Sequence, residues 1–443
     1  MRALGARRPA WSRVARRGHR LPPSGVRSVH ARAAADEDDA RTSAVDAFCV
    51  ALAAELAVDA RRADEELDAF IARAVSSSSA VDGARVAVLA RTSAGTTTTT
   101  GAATPEQRRA AAAARGDAAT IFNAATSAYH RLNRPDDAAL MLKEMERAGA
   151  APDAVSYGLL VSALRQAGRA VDAERVLAAA ETELRRGTRA GRKKKKVRLD
   201  REDLIHLQVL FDDGSVVAVA KPAGVLTHPS EGAGSSATLM DAALSRFEDE
   251  LSDLNGPDKR GVVSRLDKPT SGVVLLARDN AAHAELLTQF YQREVHKTYI
   301  ALVDGIVEED RGTVSEPLDD RPATSDFEVI ERFMHENWSY TLVRVDPKSG
   351  RKHQIRRHMA SIGNPLTGDT LYRRGRAKTL NSKPPVCVSD ALSHGKPGTI
   401  FFLHARAVKF TDKVGERIEV SAPLPSTFES VVGILRSLSS GKN

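Results

Sequence analysis

The sequence predicts an α+β domain on a mostly antiparallel mixed sheet with flanking helices, preceded by an all-α helical-repeat region. Two observations carry this. From about residue 204 the chain alternates Val-, Leu- and Ile-rich runs with turn residues and offers only short helical stretches. Residues 119–184 instead match themselves at a period of 35, the length of a two-helix unit that buries its faces by stacking on neighbours. A chain of 443 residues has room for about two to three domains.

The net charge of +8 is concentrated at one end. Residues 1–35 hold nine Arg and no Asp or Glu, and without them 56 basic residues face 57 acidic ones. The basic balance therefore marks a leader more than a nucleic-acid surface. An Arg- and Ala-rich, acid-free segment with no apolar core predicts an organellar transit peptide. The other reading is a basic arm that touches RNA or membrane directly. Val29-His30-Ala31 ahead of Arg32 has the small-residue look of a plastid cleavage region, so a chloroplast address is preferred slightly over a mitochondrial one. No run approaches the roughly 18 apolar residues of a membrane span, and no membrane partner is expected. Cys49 and Cys387 are too few and too distant for a disulfide framework, and neither sits in a metal-ligand cluster.

Residues 42–184 read as helical. The 42–75 stretch is Ala/Leu-rich with interspersed acids, Ser76–Ala80 and Thr96–Gly101 are low-complexity loops, and Thr104-Pro105-Glu106 signals a helix start. Within the repeat, Phe122 matches Tyr157, Ser127-Ala128 matches Ser162-Ala163, Arg134 matches Arg169, Asp137-Ala138 matches Asp172-Ala173, and Leu142 matches Leu177. The two units are 119–153 and 154–184. Their period, and the run from Phe122-Asn123 through Glu144-Met145 to Pro152-Asp153, resemble pentatricopeptide repeats, which read single-stranded RNA at about one base per repeat. That resemblance implies that Asn123 with Asp153 favours uridine, while Gly158 stands in the equivalent place of the second unit. A helical spacer or protein-binding hairpin is the other reading. Residues 185–203 follow as a basic linker, either a solvated charge run or a phosphate clamp.

In the 204–437 domain, Leu207–Phe211 and Ser215–Ala220 around Asp212-Asp213-Gly214 predict a hairpin. Further strands are expected at 273–278, 297–303, 325–333, 339–345, 399–410 and 416–421, and helices at 238–251, 281–292, 353–361 and 427–437. The chemistry centres on Arg265-Leu266-Asp267-Lys268-Pro269-Thr270-Ser271-Gly272, a polar turn that runs straight into the apolar Val273–Ala277. That run is short and bounded by Gly272 and Arg278, so it reads as a buried strand that can hold a neighbouring side chain on rigid support. Asp267 has two readings. It caps the Thr270-Ser271-Gly272 turn or pairs with Arg265, or it is held ionised between Arg265 and Lys268 and used as a nucleophile or base.

Arg265-Leu266-Asp267 followed by Thr270-Ser271-Gly272 resembles the catalytic motif of the RluA-type RNA pseudouridine synthases. These enzymes break the uridine glycosidic bond, turn the base and rejoin it through carbon. Other stretches match the family in the same order: Lys221-Pro222-Ala223-Gly224, His296-Lys297-Thr298-Tyr299, Gly350-Arg351 with His353-Gln354-Ile355-Arg356 and His358, Gly368-Asp369 with Tyr372, and Leu403-His404-Ala405. The resemblance spans residues 205–427 or so. It implies a pseudouridine synthase fold for 204–437, catalysis by Asp267, Tyr299 and Arg356, and contact with RNA or substrate by Arg265, Lys221 and His353. In that scheme Asp267 attacks C1′ or opens a glycal route. The always-charged, planar fork of Arg356 faces its carboxylate. Tyr299 offers a π face to the extruded uracil and a phenol for proton transfer at C5, while Arg265 helps hold the flipped nucleotide. No cofactor is implied. A metal is not expected either, since His353 and His358 are spaced so that they do not share a helical face, and no Cys or paired acid accompanies them. Ser264 stands where the family often has His, and a polar, Pro-containing insertion lies between Tyr372 and Phe401.

The expectation is an organellar RNA pseudouridine synthase acting on ribosomal or transfer RNA. Its partner is uridine-containing RNA, single-stranded or flipped out at the target, and the chain is expected to act as a monomer. The alternative is a non-catalytic RNA-binding or assembly factor that uses the same fold and repeats as an RNA clamp. The presence of Asp267, Tyr299 and Arg356 together argues against it. A glycoside hydrolase would need a second acid at a set separation, and no motif supplies one.

Overall fold

The computed structural model describes residues 119, 122–147, 150–189, 206–229, 237–247, 250–256, 259–319, 322–373, 384–393 and 401–440. The expected transit peptide at 1–35, the helices and loops expected before residue 119, and most of the basic linker lie outside the described residues. The chain divides into two compact units, Met1–Gly191 and Arg192–Asn443.

In the first unit a helical stretch at 122–131 precedes α1 (Pro135–Arg147), α2 (Ala154–Gln166) and α3 (Ala170–Arg189). Residues that match at the 35-residue period occupy matching places: Phe122 and Tyr157, Ala128 and Ala163, Ala138 and Ala173, and Leu142 and Leu177 are all buried. Each break between helices is pinned alike. Arg134 Nε donates to Asp137 at 2.7 Å and Arg169 Nε to Asp172 at 2.9 Å. Arg169 also reaches back to Asp136 at 2.6 Å, tying one repeat to the next. Asp153 starts α2 with a capping box: its carboxylate accepts the Ser156 amide at 2.9 Å, and its own amide donates to the Ser156 hydroxyl at 3.2 Å. α3 runs to Arg189, so residues 185–189, expected as linker, are helical. Leu184-Arg185-Arg186 are good helix formers, and a single Gly187 costs only about 1 kcal/mol.

In the second unit the strands are β1 (Gln208–Asp212), β2 (Val216–Lys221), β3 (Ser271–Ala277), β4 (His296–Asp304), β5 (Arg311–Val314), β6 (Ser325–His335), β7 (Trp338–Pro347), β8 (Leu403–Thr411) and β9 (Arg417–Ser421). The helices are α4 (Leu239–Phe247), α5 (Asn280–Tyr291), α6 (Gln354–Ser361), α7 (Val386–Ser393) and α8 (Ser426–Ser439). The strands form one sheet in the order β1-β2-β3-β8-β4-β7-β6-β5, with β9 paired to β8. The sheet is mixed: β3 and β8 run parallel and the other neighbours are antiparallel.

Period-two alternation explains why helices cover both faces. Along β3, Val273, Leu275 and Ala277 share a core with Ala282 and Leu286 of α5. Val274 and Leu276 point the other way, into a core with Leu239, Met240 and Ala243 of α4. In the other half, Ala301, Val303, Val343 and Val345 meet Ile355 and Met359 of α6. On the reverse face Leu302, Tyr340 and Leu342 meet Val388 of α7 and Phe428, Val431 and Leu435 of α8. A continuous apolar run such as Val273–Ala277 is what a strand buried on both faces requires.

Local chemistry sets the joints. The β1–β2 turn is held by Asp213, whose carboxylate accepts the amides of Ser215 (2.8 Å) and Val216 (2.7 Å). α5 starts on Asp279, which accepts the Ala282 amide at 2.8 Å. Gly272 is the closest joint. It pairs with Ala405 across β3–β8 at φ +118°, and a Cβ there would sit 2.2 Å from the Ala405 carbonyl oxygen. Two elements were not expected from sequence. β5 is only four residues, Arg-Gly-Thr-Val, and exists by pairing with β6. α7 lies inside the polar insertion. The helix expected at 238–251 ends at Phe247.

Candidate active site

Asp267 lies on the loop just before β3, and the residues on either side of it are clamped. On one side Leu266 exchanges two bonds with Thr227: the hydroxyl donates to the Leu266 carbonyl at 3.1 Å and accepts the Leu266 amide at 3.2 Å. On the other, the Lys268 carbonyl accepts from the Gly224 amide at 2.8 Å and from the Lys221 ammonium at 3.2 Å. Gly224 can take part because it sits at φ +83°. The turn itself closes through the backbone, Thr270 N–H to Asp267 C=O at 3.0 Å, so the Asp267 side chain is not used as a turn cap.

That carboxylate faces α6. Arg356 Nη1 lies 3.6 Å from one of its oxygens and His353 Nε2 3.8 Å from the other. Arg356 is nearly buried and is gripped from behind by Asp369 through a two-point pair, Nε at 2.6 Å and Nη2 at 2.9 Å. Its guanidinium is flanked by the rings of Tyr372 and Phe401, with centroids 4.9 Å and 4.7 Å away. Burial alone would lower the Arg356 pKa, but the Asp369 hydrogen bonds and charge raise it above the ordinary value, so the guanidinium remains charged. His353 opens α6 in the left-handed region at φ 55°, an uncommon place for a non-glycine residue. Its Nδ1 is 2.9 Å from the Tyr372 hydroxyl. Burial holds the His353 ring below the usual imidazole range, and Asp267 pulls in the opposite direction.

These groups open on a cavity of about 290 Å³. Asp267, Tyr299, Lys297, His353 and Arg356 line it with Arg265, and apolar walls come from Val273, Leu275, Phe290, Leu403 and Val408. Tyr299 is set on β4, where burial and the nearby Asp267 carboxylate both raise its phenol above the ordinary value, so it is a neutral donor. A planar ring could lie in this cavity, with a carboxylate and a guanidinium at its edge.

The structure brings Asp267, Tyr299, Arg356, His353 and Arg265 to one cavity. Arg265 and Lys268, the sequence neighbours of Asp267, are exposed, and the cation beside its carboxylate is Arg356. Lys221, expected at the substrate, has another use. It is 1% exposed, and its ammonium donates to the carbonyls of Pro222 (3.0 Å), Val225 (2.7 Å) and Lys268. Burial pulls it down to about 7, against the raising effect of Asp267. It braces the loop from inside. In the first unit Asn123 is buried at 5% exposure, with its amide 3.4 Å from Asp153 and its carbonyl accepting from the Ser156 hydroxyl at 2.7 Å. The pair expected to read a base is thus bonded internally. Thr227 and Phe401 were given no role from sequence, and neither was Asp369. Asp369 and Tyr372 lay in a recognised stretch, but nothing in their spacing says which cation they hold.

The family model for RNA pseudouridylate synthase matches residues 215–361. An uncharacterized RNA pseudouridine synthase of Aquifex aeolicus is 37% identical over 182 residues, covering 38% of this chain and 56% of that protein. The uncharacterized RNA pseudouridine synthase YlyB of Bacillus subtilis is 34% identical over 244 residues, 52% of this chain and 73% of that protein. Ribosomal large subunit pseudouridine synthase D of Xanthomonas campestris pv. campestris is 34% identical over 247 residues, 52% of this chain and 70% of that protein. The class is an isomerase. The chain belongs to the RNA pseudouridine synthase family.

Proposed function

We propose that this protein isomerises uridine to pseudouridine in an organellar RNA, with Asp267 as the nucleophile. The observation that carries the reading is the placing of the Asp267 carboxylate at the edge of a ring-sized cavity, 3.6 Å from a guanidinium that is itself fixed by Asp369. A base inside a stack cannot be reached, so the target nucleotide is extruded into the cavity, with Arg265 at the lining. Asp267 attacks C1′ or opens the glycal route, and the C1′–N1 bond breaks. The uracil turns over Tyr299, C5 bonds to C1′, and the C5 proton is lost while N1 regains one. Atoms balance without a cofactor. The apolar walls exclude water that would divert the detached base.

Ribosomal or transfer RNA is the substrate class, and the large-subunit assignment in the name of the Xanthomonas relative makes ribosomal RNA the first pool to map. The acid-free residues 1–35 support a chloroplast or mitochondrial address, and the first unit's stacked repeats support a role in RNA binding. The test is a pseudouridine map, by carbodiimide-dependent reverse-transcription stops, of organellar and cytosolic RNA. Cells would carry wild type, a null allele, or Asp267→Ala. The expected result is the loss of the same one or few sites in the null and in Asp267→Ala. A null phenotype that Asp267→Ala rescues, with no site changed, overturns the enzyme reading in favour of an RNA clamp.

A further inference from the structure

The geometry points to Lys297 as a further catalytic residue, whose ammonium holds a carbonyl oxygen of the uracil while that base is detached from its sugar. The inference rests on the uridine-isomerising reading above. Lys297 is two residues before Tyr299 on β4, so the two side chains leave the strand on the same face, and both line the cavity. Of the other cations that line the cavity, Arg265 is exposed to solvent. Arg356 is matched by Asp369 and Asp267. Arg351 donates its Nε to the Pro322 carbonyl at 3.2 Å. Lys297 differs. Among the described residues no carboxylate pairs with it, its ammonium lies 5.9 Å from the Phe290 ring centroid, and a Cβ at Gly350 would sit 3.6 Å from its nitrogen. The side chain is half-buried, and burial lowers its pKa with no acid to offset the effect, so its charged form is favoured when an anion stands opposite it. A desolvated cation without a counter-charge is unfavourable in the empty site, and it is suited to a group that becomes negative only during the reaction.

The uracil is such a group. When C1′–N1 breaks, by either route, the electron pair stays on the base, and its negative charge spreads from N1 to O2 and O4. The ammonium meets that charge at one oxygen, in the manner of an oxyanion hole. The turn of the base has a useful consequence. Rotation about the N3···C6 axis exchanges N1 with C5 and also exchanges C2=O with C4=O. One fixed ammonium therefore finds a carbonyl oxygen in the same place before and after the turn. When C5 bonds to C1′ the pair moves into the new bond, the C5 proton leaves, N1 is protonated, and Lys297 is unchanged.

The experiment uses the full chain and a transcript carrying a site lost in the Asp267→Ala map. Single-turnover rates, half-saturating RNA concentration, salt dependence of binding and released free uracil are measured for wild type, Lys297→Met, Lys297→Gln and Lys297→Arg. Thermal midpoints are recorded so that rates are compared well below them. The expected result is a chemical step slowed about a hundredfold or more in Met and Gln, in line with loss of one oxyanion donor, with half-saturation little changed. Free uracil per turnover rises in the same variants, and Arg recovers most of the rate. Met and Gln rates close to wild type overturn the proposal. So does an Arg variant as slow as Met, which means shape and not charge. A salt slope reduced by about one would place Lys297 on a phosphate and also overturn it. If no site is lost in the Asp267→Ala map, the functional reading itself has failed, which is a different result from active wild type with active Lys297→Met.

Discussion

Replacing Asp369 by Asn preserves the shape of the buried pair and removes its charge. Asp369 is 1% exposed and the Arg356 side chain 8%, and the two bonds between them are 2.6 Å and 2.9 Å. Asn offers the guanidinium one oxygen, and its NH₂ group faces an N–H. Removing one partner of a buried ion pair costs about 3–5 kcal/mol. The lower end applies here, because Asp267 at 3.6 Å and the flanking rings of Tyr372 and Phe401 remain with the stranded charge. A loss of about 3 kcal/mol in a domain of this size lowers the thermal midpoint by about 6–12 °C. Activity falls as well, because Arg356 released from Asp369 closes on Asp267 and occupies the oxygens that must attack. A displacement of about 1 Å near the reacting atoms is worth roughly a hundredfold in turnover. Urea unfolding and single-turnover pseudouridine formation read the two effects. The reasoning is refuted if stability falls by less than about 1 kcal/mol, since that is the range of an exposed pair. It is refuted equally if stability falls and turnover stays normal, for then Asp369 only packs.

Two further outcomes follow from the same frame. His283 is fully buried between Ser252, whose Oγ is 2.7 Å from Nδ1, and Asn255, 3.1 Å from Nε2, and burial lowers it from 6.5 to about 4 against a small raising effect of Asp253. The native ring stays neutral while the unfolded one takes up a proton, so stability is flat above pH 6.5 and falls by about 3 kcal/mol on going down to pH 4. His358, His353 and His404 are lowered too, so the quantity to read is the difference in urea unfolding between wild type and His283→Gln. Identical pH slopes refute the assignment. Thr227→Val removes both bonds that fix Leu266 and should reduce turnover about tenfold at unchanged KM, the cost of leaving an amide and a carbonyl unpaired. Thr227→Ser should restore it, and a Val variant with normal turnover shows that the loop needs no such brace.

What could be read from the sequence was local. Val273–Ala277 declared a buried strand because its pattern is the physical requirement for one, and Asp213 and Gly214 mark the β1–β2 turn by their own bonding. Side chains brought together from distant stretches were readable only where a family motif named them, as with Asp267 and Arg356. The parallel β3–β8 joint shows the limit. Ser271 and His404 are 133 positions apart, and their 2.9 Å bond leaves no trace in spacing. Lys221 shows another limit. The motif resemblance implies a substrate contact for this lysine beside a Pro-Ala-Gly turn, and only the folded loop supplies the three carbonyls that bury it. Among Arg351, Arg356 and Arg357 spacing alone cannot choose a carboxylate partner, and only the family motif points to Arg356. Helical period chooses, turning Arg356 inward to Asp369 and leaving Arg357 to an exposed pair with Asp319.

The spacing of that pair bears on how a carboxylate can be both supported and reactive. A carboxylate held by a close two-point guanidinium has its lone pairs occupied, which makes it a poor nucleophile. Here the close contact, at 2.6 Å and 2.9 Å, goes to Asp369, and Asp267 receives only the longer approach at 3.6 Å. Asp369 thus keeps Arg356 at a distance from which it supports the charge on Asp267 without tying up its oxygens. One guanidinium shared by two carboxylates leaves that corner of the cavity with a net negative charge. The cation that faces the departing base therefore has to come from somewhere other than Arg356. Lys297 is positioned to supply it from β4, which is why the two substitutions should behave differently. Asp369→Asn costs stability and rate together, while Lys297→Met removes a charge the resting protein does not use and costs rate alone.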